Sequence, residues 1–89
     1  MIETEIRVRI RSLHATGELP CETPEQTWGG SGLGEHCAAC AEAISPDEIE
    51  FEVDLPSGMR IRLHRRCYQL WLEECVTLGE AGPGGGAHG

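Results

Sequence analysis

Cys37-Ala38-Ala39-Cys40 and, twenty-three residues further on, His64-Arg65-Arg66-Cys67 decide the reading of this chain. Three thiols and an imidazole form a donor set for a tetrahedral zinc ion, which takes four ligands at roughly 2.0 to 2.3 Å. A Cys-x-x-Cys turn brings two sulfurs to one side of an ion. Residues three apart at the start of a helix face the same way, so His64 and Cys67 can close the other side. A redox Cys-x-x-Cys would want a thioredoxin-like βαβ context, and the sequence has none. The spacing therefore predicts one structural zinc ion on Cys37, Cys40, His64 and Cys67. Four protein ligands leave no open position for water or substrate, so no enzyme is expected.

Between the two ligand pairs lies a hairpin pattern. Ile49, Phe51, Val53 and Leu55 alternate with Glu50, Glu52 and Asp54, and after Pro56-Ser57-Gly58 the alternation resumes through Met59, Ile61 and Leu63. A three-residue loop with Gly58 at a positive-φ position sets Leu55 opposite Met59, Val53 opposite Ile61 and Phe51 opposite Leu63. The other face then pairs Asp54 with Arg60 and Glu52 with Arg62. Slipping by one residue would set carboxylates against aliphatics, so the pattern fixes the register. A helix follows from about Arg65 to Leu78, with Cys67, Tyr68, Trp71, Leu72, Cys75 and Leu78 on one broad arc and Gly79 as its stop. The order knuckle, hairpin, helix is the treble-clef arrangement.

The run Cys37-x2-Cys40-x3-Ile44, a hairpin, then His64-x2-Cys67-Tyr68 resembles the zinc finger of poly(ADP-ribose) polymerase type. It is also similar to the first finger of a LIM domain, which uses Cys, Cys, His and Cys at comparable spacing. Short bacterial proteins carrying the same finger behind a helix and a Trp-Gly-Gly linker resemble it as well. The likeness covers residues 35–78, about half the chain. Departures are visible: no second Cys-x-x-Cys follows as in a LIM domain, and Ala41 stands where glycine often eases the turn. The break-sensing role of the polymerase-type finger needs a basic surface, and this chain is acidic.

The chain has 89 residues, 39% hydrophobic and 4% aromatic, which suits one small domain with a thin core and a need for a staple. Fifteen carboxylates against seven arginines give a net charge of −8, which disfavours a phosphate backbone as partner. Residues 1–17 are read as a helix packed on the finger, because Ile2, Ile6, Ile10 and Leu13 share a face and Gly17 and Pro20 stop it. The strict alternation from Ile6 to Arg11 is the competing strand reading, but a strand leaves Leu13 and Gly17 unexplained. Residues 18–35 read as a linker rich in glycine and proline, anchored by Trp28. Its run Gly29-Gly30-Ser31-Gly32-Leu33-Gly34 lacks the lysine and spacing of a nucleotide loop. Residues 36–78 are the finger, and residues 79–89 read as a disordered glycine-rich tail. The amino-terminal residues offer no apolar stretch for a signal peptide, and no segment has the length of a membrane span. With cysteines patterned for metal, this predicts the cytoplasm and no membrane partner.

The remaining cysteines and histidines are given plain roles. Cys75 lies eight helical residues beyond Cys67, about 12 Å along the axis, and reads as a buried core thiol. Cys21 reads as a solvated thiol, His14 and His88 as surface residues, and His36 as a neighbour of Cys37 that does not aim at the same ion. Arg65 and Arg66, between two ligands, are expected to offset the site's negative charge through N–H···S contacts. The sharper alternative is a phosphate or carboxylate site at the helix start, joined by Arg60 and Arg62. The sequence thus predicts a small α+β, zinc-stapled domain acting as a binding or adaptor module for another protein. A nucleic-acid finger using Arg60, Arg62, Arg65 and Arg66 is the first rival, and a thiol-based redox or metal sensor the second.

Overall fold

The computed structural model describes residues 1–79. Helix α1 (Glu3–Thr16) is followed by strands β1 (Gln26–Ser31), β2 (Ile49–Asp54) and β3 (Arg60–His64) and by helix α2 (Arg65–Thr77). The strands form one antiparallel sheet in the order β1-β2-β3. The glycine-rich tail expected from residue 79 onward lies, apart from Gly79, outside the described residues.

The helical reading of the amino terminus holds. The Glu5 carboxylate accepts the Ile2 N–H at 3.2 Å, which satisfies one donor at the helix start, and Ile6 and Ile10 are buried. At the other end the N–H groups of Glu18 and Leu19 both donate to the Leu13 carbonyl, at 2.9 and 3.1 Å. That turn drops Leu19 into the core, where it is fully buried.

The hairpin register is the one the alternation dictates: Phe51 faces Leu63, Glu52 faces Arg62, Val53 faces Ile61 and Asp54 faces Arg60. Gly58 takes φ +94° in the loop, where its N–H donates to the Leu55 carbonyl at 2.8 Å. Val53, Ile61 and Leu63 are buried against Trp71 and Leu70 of α2, and Tyr68 sets its ring edge-on to Phe51 at 4.7 Å. On the opposite face Arg60 bonds Asp54 at 2.6 Å and Arg62 bonds Glu52 at 3.1 Å.

The residues read as a linker do more than connect. Gln26–Ser31 pair with β2 along their whole length, Trp28 opposite Glu52. This places Trp28 on the charged face, 41% exposed and beneath the Arg60 guanidinium at 5.6 Å, so it does not anchor the core. Leu19 and Cys21 hold the segment instead, together with the Pro20 carbonyl, which accepts the Trp71 indole N–H at 3.3 Å. The glycine run has a packing reason at Gly32, where the Ile44 and Ser45 backbone leaves no room for a Cβ.

Cys21 and Cys75 form a disulfide, with Cα atoms 5.4 Å apart. This corrects two expectations, a solvated thiol at 21 and a free core thiol at 75. The buried turn after α1 brings Cys21 over the end of α2, so two residues 54 apart in sequence become neighbours. A second link joins the helices: Glu74, 3% exposed, receives Arg11 and Arg7, each at 2.8 Å. The Arg11 hydrogen bond, against the opposing effect of burial and with help from Arg7, holds the Glu74 carboxyl below its usual range.

Candidate metal centre

Three parts of the chain deliver the four donors. The knuckle residues 36–43 fold back on themselves: His36 bridges Ala43, the Cys37 N–H donates to the Glu42 carbonyl at 2.9 Å, and the Ala41 N–H donates to the Cys37 carbonyl at 2.9 Å. Two clamps fix this turn to the rest of the fold. The Ala38 N–H donates to the Arg62 carbonyl of β3 at 2.8 Å, and Arg9 of α1 donates through Nε to the Ala39 carbonyl at 2.8 Å. His64 closes β3, and Cys67 stands on the first turn of α2.

The donor atoms of Cys37, Cys40, His64 and Cys67 lie within 4.8 Å of one another, close enough to hold a metal ion. The three cysteines are buried and His64 is partly so. The His64 ring is oriented from behind: its Nε2 faces the Ala43 carbonyl at 3.3 Å and the Glu48 carboxylate at 3.4 Å. Two acceptors there place the ring proton on Nε2 and leave the Nδ1 lone pair facing the sulfurs, 3.4 Å from Cys40 Sγ.

Protons are unevenly shared among the four donors. The Cys67 thiol donates to Cys37, and with the Cys40, His64 and Ala39 N–H groups this outweighs burial and brings the Cys37 thiol down to about 4. Cys67 is correspondingly pushed up, by its bond to Cys37 and then by burial, and Cys40 is pushed up chiefly by burial. His64 is lowered by burial, but the Cys37 thiolate and Glu48 outweigh this and leave it raised. A metal ion must displace the protons held on Cys67 and Cys40, so binding strengthens as pH rises.

Ala41 carries the tension that its sequence position announces. Among the described residues it is the one non-glycine residue with positive φ, at 68°. Ala41→Gly is expected to raise stability by about 1 kcal/mol, read as a higher urea midpoint for the metal-loaded chain, with metal content unchanged. An unchanged midpoint would contradict the account of this turn.

The arginines separate into two groups. Arg60 and Arg62 are held by Asp54, Glu52 and Glu50 on the sheet, so they do not join a site at the helix start. Arg65 and Arg66 are exposed, their side chains make no hydrogen bond or ion pair among the described residues, and the expected donation to the sulfurs is not made. The donor to Cys37 Sγ is instead the His64 backbone N–H at 3.4 Å. Arg65 and Arg66 line a cavity of about 330 Å³ beside Cys40, His64 and Cys67, but Glu42 and Glu48 line it too. His36 is exposed, His14 is half-buried, and His88 lies outside the described residues.

The sequence reading missed the disulfide, β1 and the Glu74 latch. Cys21 and Cys75 offered no spacing signal, because their proximity depends on the turn after α1. Glu74 was recoverable in principle: it lies one turn beyond Leu70 and three residues beyond Trp71, on the buried side of α2.

No family model matches the chain, and neither a curated protein nor a solved structure is found similar to it. The fold and site define a small α+β chain with a Cys3His group able to hold a metal ion. No helix among the described residues is long and apolar enough to cross a membrane.

Proposed function

We propose that this chain is a binding module stapled by one structural zinc ion, in a treble-clef arrangement, and that it acts as an adaptor for another protein. The observation that carries the reading is the closed donor set: Cys37, Cys40, His64 and Cys67 converge from knuckle, strand end and helix start within 4.8 Å. Three thiolates and an imidazole suit zinc. A tetrahedron with Zn–S bonds near 2.3 Å has edges of about 3.8 Å, so the group needs only a small contraction around the ion. With four protein donors the ion orders the chain and takes no part in a reaction.

A protein partner is favoured over nucleic acid because two of the four arginines a nucleic-acid finger would use are already neutralised on the sheet. The zinc-loaded chain is expected to show no measurable affinity for generic duplex DNA at physiological salt. Submicromolar binding, lost on replacing Arg65 and Arg66 and falling steeply with salt, would overturn the adaptor reading.

One observation favours a second reading. The Cys21–Cys75 disulfide gives the thiol-sensor alternative a concrete pair of atoms that lies outside the metal centre. In the cytoplasm, where we place the chain, disulfides of mesophile proteins are usually transient or redox-sensing.

A further inference from the structure

β1 is an edge of the sheet, and all six of its residues are exposed. The Gly32 N–H donates to the Glu48 carbonyl at 2.9 Å, extending the β1–β2 pairing by one position. Bonded and non-bonded positions alternate along an antiparallel pair. Gly30, Trp28 and Gln26 therefore turn their backbone groups toward β2, and Thr27, Gly29 and Ser31 turn theirs away from it. Three N–H donors and three carbonyls stand along an edge that no other strand among the described residues covers.

Such edges are normally blunted by lysine, proline or a bulge. Gln-Thr-Trp-Gly-Gly-Ser contains neither residue, and its register against β2 runs without interruption. Gly29 and Gly30 leave the middle of the edge without side chains beside it.

We propose that the β1 edge binds an extended, lysine- or arginine-bearing segment of a partner protein by strand addition. This deepens the adaptor reading and rests on it. Main-chain bonds would supply the affinity, and charge selects the occupant. No lysine or arginine lies between Ser12 and Met59, whereas the stretch carrying β1, residues 17–36, holds Glu18, Glu22, Glu25 and Glu35. Arg60, the cation over Trp28, is already committed to Asp54. A second copy of the chain would bring a further net charge of −8 to the same edge, so a basic segment fits where self-pairing is repelled.

The test is amide exchange on the full zinc-loaded chain, with an end-capped octapeptide of alternating lysine and threonine as probe. Saturating peptide is expected to slow exchange about tenfold at Thr27, Gly29 and Ser31. Added salt weakens the binding, and a glutamate-for-lysine peptide leaves the amides unprotected. Ser31→Pro removes an outward N–H behind Gly30, at an edge position where proline is tolerated, and is expected to keep zinc content while weakening the peptide about tenfold. Thr27→Pro repeats the measurement at the other end and serves where Ser31→Pro does not fold. Absence of protection on β1, protection confined to other amides, or unchanged binding by both proline variants would overturn the proposal. Protection that grows with protein concentration in the absence of peptide would overturn it too, assigning the edge to a second copy. All of these leave the adaptor reading intact, which fails instead on tight DNA binding.

Discussion

Cys67→Ala is expected to abolish the fold, leaving a chain without a cooperative thermal transition and without bound zinc. Cys67 is 2% exposed on the first turn of α2, where the helix leaves β3. Loss of its sulfur unties the start of the helix that carries Leu70 and Trp71 into the core, leaving the helix fastened at its Glu74–Cys75 end. Structural zinc contributes about 10 to 16 kcal/mol of apparent binding free energy in small fingers. Whole domains are stable by only about 5 to 15 kcal/mol. A core of this size cannot absorb the loss of one ligand in four. Far-UV circular dichroism with metal analysis checks this, and a cooperatively melting Cys67→Ala chain would contradict it.

The second large effect belongs to the Cys21–Cys75 disulfide. It closes a loop across a sequence separation of 54, for which the chain-entropy account gives about 4 kcal/mol. Replacing both cysteines by serine is expected to lower unfolding free energy by about that amount, read from urea unfolding of the zinc-loaded protein. Zinc content should stay at one per chain, because Cys75 stands about 12 Å beyond Cys67 along α2. Both sulfurs are buried, Cys21 at 6% and Cys75 at 2% exposure, which shields the bond from thiols in solution. Equilibration in thiol–disulfide buffers then separates the two readings. A reduction potential below about −300 mV marks a staple, and a potential near that of cellular glutathione supports the sensor.

The parts of this molecule that announce themselves in sequence are those with local periodicity. The hairpin is legible because one face carries apolar residues from Phe51 to Leu63 while the other pairs acids with arginines, and a single register satisfies both faces. The four donors of the candidate metal group are legible because the Cys-x-x-Cys turn and the strand-to-helix junction each fix a pair of donors locally. β1 carries no such signal: an edge strand exposed on both faces has no reason to alternate, and its glycines imitate a loop. Trp28 misleads for the same reason, since a large ring suggests a core and here lies under Arg60. The disulfide and the Arg7–Glu74–Arg11 latch join residues more than fifty apart, and no local pattern encodes such a meeting.

The claim on which the rest depends is that zinc, bound by Cys37, Cys40, His64 and Cys67, holds this fold together. Elemental analysis and X-ray absorption of the purified chain, before and after a strong chelator, test it most directly. The account predicts one zinc per chain with three sulfurs and one nitrogen around it, and unfolding when the chelator removes the ion. A metal-free chain that keeps its spectrum and melts cooperatively would contradict it.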